Sequence, residues 1–223
     1  MKYGLWFFDC DGVILVSNSL KTDAFHRIGM GYGPEDARAL VRYHLENGGV
    51  SRFEKFAYFF REIRGEVDYE DRLRAALAEY GEFVRAGLRR CLEVPGIRVF
   101  LKKLRETEGL RAFVISGSEE EELRQVFSER GLASYFDGIF GSPAKKRDIV
   151  SELCSSERRP GSDLRAVFCG DSRLDYEVAR AFGIDFIMIH GYTEWEDWQK
   201  TIPGEIICAR DFDELTRREE VLG

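Results

Sequence analysis

The chain has 223 residues, 44% hydrophobic and 33% charged, enough to bury one sizeable core, or a core with a small companion domain. Forty acidic residues against 33 basic ones leave a net charge of −7, which repels polyanions and argues against nucleic acid as a partner. No stretch approaches the ~18 apolar residues of a membrane span, and the first apolar run, Leu5 to Phe8, is too short for an export signal, so a cytoplasmic protein with no membrane partner is expected.

In chain order, Leu5 to Phe8 reads as a buried strand. From about Ser17 to Val94 no strand pattern follows. Pro34 to Glu46 has helical spacing with Ala37, Leu40, Val41 and Leu45 on one face. Ser51 and Glu54 form a capping box before Phe56, Ala57, Phe60 and Ile63, and Asp68 to Arg89 is a longer helix with Leu73, Leu77, Val84 and Leu88 inward. Pro95-Gly96 then starts a helix carrying Ile97, Phe100, Leu101 and Leu104. Further strands are expected at Ala112 to Ile115, Ile139 to Phe140, Ala166 to Cys169, Phe186 to Ile189 and Ile206 to Cys208. Ser118 with Glu121 reads as a second capping box, and the run Glu119 to Glu122 as a solvated first turn favoured by the helix dipole. Strands alternating with amphipathic helices predict an α/β fold with a parallel sheet, whose ligands gather at the carboxyl ends of the strands. The five cysteines are widely spaced with no Cys-x-x-Cys pair, so a disulfide framework or zinc site is not expected.

The residues with the sharpest chemistry follow the first strand. Asp9 and Asp11 flank one residue, so in extended chain both face one site, and Gly12 lets the backbone turn away. Paired anions repel, and a hard divalent cation such as Mg²⁺ compensates them; alone, the motif is equally a solvated turn. Val114-Ile115-Ser116-Gly117-Ser118 puts small hydroxyls at a second strand end and helix start, where free N–H groups suit a phosphate. Ser118 reads as the helix cap and Ser116 as the better phosphate ligand. Gly141-Ser142-Pro143-Ala144-Lys145-Lys146 offers an ammonium, and Gly170-Asp171-Ser172-Arg173-Leu174-Asp175 brings two more acids to a fourth strand end.

These features, in this order and each at a strand terminus, resemble the haloacid dehalogenase superfamily over nearly the whole chain. The resemblance implies a Rossmann-like doubly wound parallel sheet (residues 1–16 and 95–223) with an inserted all-α cap (residues 17–94), as in phosphoglycolate phosphatases and β-phosphoglucomutases. It implies a Mg²⁺-dependent phosphatase acting on a small phosphorylated metabolite through an aspartyl-phosphate on Asp9, with Asp11 as general acid and then base. Mg²⁺ would be held by Asp9, the Asp11 backbone carbonyl and Asp171, with Asp175 in support. Ser116, Gly117 and a lysine, Lys146 in preference to Lys145, would bind the phosphoryl group. A mutase using the same intermediate, a phosphonate hydrolase using a lysine such as Lys21 or Lys55, and a non-catalytic binding module are the alternatives. A monomer or homodimer is expected.

Within the expected cap, Asn47-Gly48-Gly49-Val50-Ser51-Arg52 is similar to the Gly-Val-Ser-Arg segment of β-phosphoglucomutase caps, which makes Arg52 the first candidate for selectivity. Lys21 stands where relatives often carry a histidine and Val16 where they often carry an aspartate; both departures count against the usual substrates. His44 falls on the apolar stripe of its helix and reads as a core residue.

Overall fold

The computed structural model describes residues 2–157, 165–202 and 204–218. Its frame is a parallel sheet of β1 (Leu5–Phe8), β2 (Arg111–Glu119), β3 (Gly138–Ser142), β4 (Ala166–Gly170), β5 (Asp185–Ile189) and β6 (Ile207–Ala209), in the order β3-β2-β1-β4-β5-β6. The expected strands all form, with edges displaced by a few residues at most apart from β2, which continues through Ser116-Gly117-Ser118. In this order the winding reverses at the central strand, which creates the crevice where doubly wound sheets bind ligands.

The central strand shows why an unbroken apolar run is needed. All four residues of β1 are fully buried, because helices cover both faces of the sheet. Trp6 and Phe8 point to one face, among Phe100, Phe127 and Phe212; Leu5 and Phe7 point to the other, among Phe113, Phe168 and Ile149. Removing one such ring, as in Phe8→Ala, costs about 3–5 kcal/mol by transfer and cavity terms together.

Between β1 and β2 the chain is helical. In order come α1 (Asn18–Met30), α2 (Pro34–Glu46), α3 (Arg52–Tyr58), continued by a π-helical turn at Phe59–Ile63, α4 (Glu70–Leu88) and α5 (Ile97–Glu106). The first four form an insert around Phe25, Leu40, Phe56, Phe59, Phe60, Tyr80 and Val84. The α2 bounds agree with the helical spacing, but Leu45 is 39% exposed, and His44 rather than Leu45 turns inward. The two passages joining insert and sheet run side by side: the N–H of Val16 donates to Leu92 O at 2.8 Å, and that of Val94 to Ile14 O at 3.0 Å. Later helices are α6 (Glu120–Glu129), which with α5 covers one sheet face, and α7 (Lys146–Glu157) and α8 (Arg173–Ala181), which cover the other. Among the described residues, no helix is long and apolar enough to cross a membrane.

Candidate active site

The carboxyl ends of β1, β2 and β4 open on a cavity of about 730 Å³, roofed by the insert and lined by Asp9, Asp11, Gly117, Ser118 and Asp171. Gly12 makes the turn after β1 with φ of +72°, and a β-carbon there would stand 2.3 Å from Asp171 Oδ2. A glycine is therefore required both by the left-handed backbone and by the carboxylate packed against it.

Asp9, Asp171 and Asp175 are buried, and one carboxylate oxygen from each lies within 4.8 Å of the others. Two of them share one cation, Lys146, whose Nζ is 2.7 Å from both Asp9 Oδ1 and Asp175 Oδ1. Lys145 is exposed, so the first residue of α7 and not its neighbour turns inward. Asp175 is fully engaged: its Oδ2 also accepts from the Ser172 N–H at 3.2 Å and hydroxyl at 2.7 Å, closing a capping box at the start of α8. Ser172 is thus the N-cap of α8. Burial pushes the Asp9 carboxyl up to about 7 despite the pull of Lys146, and burial plus Asp9 and Asp175 push Asp171 well above the carboxylate range. Three buried acids with one lysine among them are under-compensated, which is the condition a hard divalent cation relieves. Asp9 and Asp171 retain the coordination capacity that Asp175 has spent.

Asp11 has different surroundings. Its Oδ1 accepts from the Ser17 hydroxyl at 2.5 Å, and its Oδ2 accepts from the Lys21 ammonium and, at 3.4 Å, from Ser118 Oγ. Burial alone would raise its pKa; the contacts with Lys21 and Ser17 outweigh that and hold it below the ordinary carboxylate value. Lys21 Nζ also donates to Ser118 Oγ at 2.6 Å, and Asp11 raises the lysine's pKa in return, against its burial.

The second strand end corrects two expectations. The helix cap is Glu119, whose carboxylate accepts from the N–H groups of Glu121 and Glu122, so Ser118 remains in β2 and turns its hydroxyl to Lys21 and Asp11. The pairing of β2 with β3 shifts register between Ile115 and Glu119, which turns this segment toward the cavity. Ser116 is fully buried and joined to Ser118 at 3.1 Å, while Gly117 and Ser118 form the wall. A β-carbon on Gly117 would stand 2.4 Å from Gly49 O, so the Gly48-Gly49 turn of the insert packs directly on the strand end. Second, the acidic run is not wholly solvated: Glu122 is 3% exposed and lies 2.9 Å from Arg52. The residue expected to select substrate is therefore ion-paired across the boundary between insert and core.

Several participants gave no signal in the sequence. Asn18, first residue of α1, donates to Asp171 Oδ2 at 2.7 Å and to Tyr192 O at 2.8 Å, and the Thr193 hydroxyl donates to Asp171 O at 2.5 Å. Each is one polar residue in a loop or helix start, recognisable only when the chain segments meet.

The haloacid dehalogenase-like hydrolase family model matches residues 6–180. A search of curated proteins found no match. Solved structures that share the fold include a predicted phosphatase from Clostridium acetobutylicum (21% identity, TM-score 0.71, covering 99% of this chain and 98% of that one). Others are a predicted phosphoglycolate phosphatase from Haemophilus somnus (15%, 0.71, 97% and 98%) and CbbY from Rhodobacter sphaeroides in complex with phosphate (20%, 0.70, 96% and 96%). With the family model spanning the strand-end acids of β1 and β4 and the lysine between them, this chain belongs to the haloacid dehalogenase-like hydrolases.

Proposed function

We propose that the protein is a phosphatase that removes phosphate from a small phosphorylated metabolite, with Asp9 as nucleophile. The observation that carries this reading is the divided environment of the first motif. Asp9 stands among acids with Lys146 as its cation at 2.7 Å; Asp11, two residues on, stands among hydroxyls and the Lys21 amine. Two carboxylates set at one strand end in such different surroundings are suited to different roles in one reaction. The description of fold neighbours as phosphatases agrees with it.

In this mechanism a carboxylate oxygen of Asp9 attacks phosphorus in line with the leaving oxygen, forming an aspartyl-phosphate, and Asp11 delivers a proton to the departing alkoxide. Asp11 then takes a proton from the water that attacks the aspartyl-phosphate, releasing inorganic phosphate and restoring Asp9. The covalent step divides one hard displacement into two easier ones. Once Asp11 has given up its proton to the leaving group, Lys21 holds it as the carboxylate that activates water. A phosphate dianion entering the cavity competes for the Lys21 ammonium, and so raises the affinity of Asp11 for the proton it must deliver. Gly117 and Ser118 offer an N–H and a hydroxyl to the phosphoryl oxygens, and Lys146 holds Asp9 in position. Mg²⁺ bound by Asp9 and Asp171, with the Asp11 backbone carbonyl, would neutralise charge on the transferring group.

The test is phosphate release from sugar phosphates, phosphoglycolate and p-nitrophenyl phosphate, with and without Mg²⁺. Mg²⁺-dependent turnover that disappears in Asp9→Asn is expected. Turnover that persists in that variant, or none from a folded, Mg²⁺-loaded protein, overturns the reading.

A further inference from the structure

Arg52, the residue of the insert that the sequence singles out, is not the cation its wall holds in reserve. Its guanidinium lies 2.9 Å from Glu122 Oε1, with Arg85 3.8 Å from the other oxygen. Lys21 is paired with Asp11, and Lys146 is shared by Asp9 and Asp175. Lys55, on α3, differs from all of these. It is 3% exposed, lines the cavity, and has no carboxylate within 4.0 Å among the described residues. Its partners are His44 Nδ1 at 2.7 Å and His44 O at 3.4 Å, leaving one of the three donors of an ammonium to meet something else.

The polar chain behind it positions the amine without neutralising it. Because Lys55 donates to His44 Nδ1, the ring proton sits on Nε2 and donates to Thr22 Oγ1 at 3.0 Å; the Thr22 hydroxyl donates to Glu194 Oε1 at 2.7 Å. Along this chain the first carboxylate is three hydrogen bonds from the amine, and its other oxygen stands 3.8 Å from His44 Nε2. Burial chiefly, and Lys21 in addition, lower the Lys55 pKa to about 7, against the weaker opposing pull of the more distant Asp11 and Glu194 carboxylates.

We infer that Lys55 is the specificity-determining residue of this wall, and that it receives a second anionic group, carboxylate or phosphate, on a substrate whose first phosphate is held at Asp9. The inference rests on the phosphatase reading and names its substrate class. A substrate with one phosphate leaves the amine without a charged partner; a doubly anionic one supplies it. A charge-assisted hydrogen bond in such a place is expected to favour the doubly anionic substrate by about 100-fold.

Matched pairs test this on the full, Mg²⁺-loaded protein: fructose 1,6-bisphosphate against fructose 6-phosphate, and 2-phosphoglycolate against ethyl phosphate. The expected result is an advantage in kcat/KM of about 100-fold for the doubly anionic member of at least one pair. That advantage should fall below about 5-fold in Lys55→Met, mainly through KM, and be partly kept by Lys55→Arg, with p-nitrophenyl phosphate turnover in Lys55→Met within about 3-fold of wild type. The pair that responds tells carboxylate from phosphate. No preference in either pair, or a preference that survives Lys55→Met, overturns the inference. So does borohydride-dependent labelling of Lys55 in the presence of an aldehyde substrate, which would make the lysine a covalent catalyst. Calorimetric binding of the same compounds to Asp9→Asn keeps the two readings apart. Tighter binding of the doubly anionic member, lost on adding Lys55→Met, supports Lys55 even where wild type shows no turnover, and equal affinities refute it even where turnover is strong.

Discussion

The two sides of the cavity are incomplete in opposite senses. At the strand ends three buried acids, Asp9, Asp171 and Asp175, cluster around one lysine, Lys146, which pairs with Asp9 and Asp175, and the Asp9 and Asp171 carboxyls are pushed upward. Across the cavity, on the insert, Lys55 and His44 are buried together, the nearest carboxylate among the described residues being Glu194 at 3.8 Å from the His44 ring, and both are pushed downward. Burial drives both shifts, since it disfavours charge of either sign. The difference shows what each side lacks: the sheet side a cation, the helical side an anion. On the proposed reading, a phosphorylated ligand arriving with a divalent metal would supply both.

The comparison breaks most severely at Asp9. Asp9→Asn should lower kcat for phosphate release by about 10⁴-fold or more, as removal of a covalent nucleophile does. At pH 8 the metal-free variant should nevertheless melt no lower than metal-free wild type, because an under-compensated buried anion has become a neutral amide. A melting temperature several degrees lower would mean that Asp9 is a structural ion pair first and a reactive group second.

Metal removal is next. Chelation should abolish turnover, and Mg²⁺ should restore it while raising the melting temperature. That rise should be larger at pH 8 than at pH 5.5. With a carboxyl at about 7, Asp9 binds a proton across the lower range, and the metal must displace it. A stabilisation independent of pH would place the ion away from Asp9.

Glu122→Gln sharpens the contrast from the side of the insert. It leaves Arg52, whose side chain is 10% exposed, without its partner and should cost about 3 kcal/mol in urea unfolding. Because Glu122 belongs to α6 and Arg52 to α3, the loss should appear as weaker docking of insert on core, seen as faster amide exchange in α3 than in β1. Uniform exchange would show that other contacts hold the two together.

The smallest effect is one of sign. His44 is held down to about 2 by burial and by Lys55, against an unfolded value near 6.5, so the stability it contributes is lost as pH falls below about 6.5. Asp9, raised to about 7 from 3.8, contributes stability that is present at low pH and lost as pH rises toward 7 in the metal-free protein. His44→Gln should therefore flatten the acid side of the stability profile, and Asp9→Asn should flatten the decline toward neutral pH. Urea titrations from pH 4 to pH 8 without metal separate them; slopes of the same sign in both variants would refute the opposition.

What could be read in advance depended on how locally each feature is determined. The strands were legible because burial on both sheet faces demands a continuous apolar run, and Leu5 to Phe8, Ala166 to Cys169 and Phe186 to Ile189 are such runs. The strand-end acids were legible because alternation sends Asp9 and Asp11 to one end of one strand. Finer local readings failed where a neighbouring element intervened. Ser118 looked like a cap, but β2 runs on to Glu119, which caps α6 with its own carboxylate. Leu45, read as an inward residue of α2, is exposed, whereas the adjacent His44 is buried as expected, in contact with Lys55 and Thr22.

By itself, then, the sequence determined the parallel sheet, the helical insert and the positions of the acids along the chain, because hydrophobic period and strand alternation act within a few residues. Only the tertiary structure decided which charges meet: that Lys146 bridges Asp9 and Asp175, that Lys21 takes Asp11, that Glu122 claims Arg52, and that Lys55 keeps no carboxylate of its own. Ion pairing is a contest over a few ångströms among side chains distant in sequence, and the packing of insert against sheet settles it.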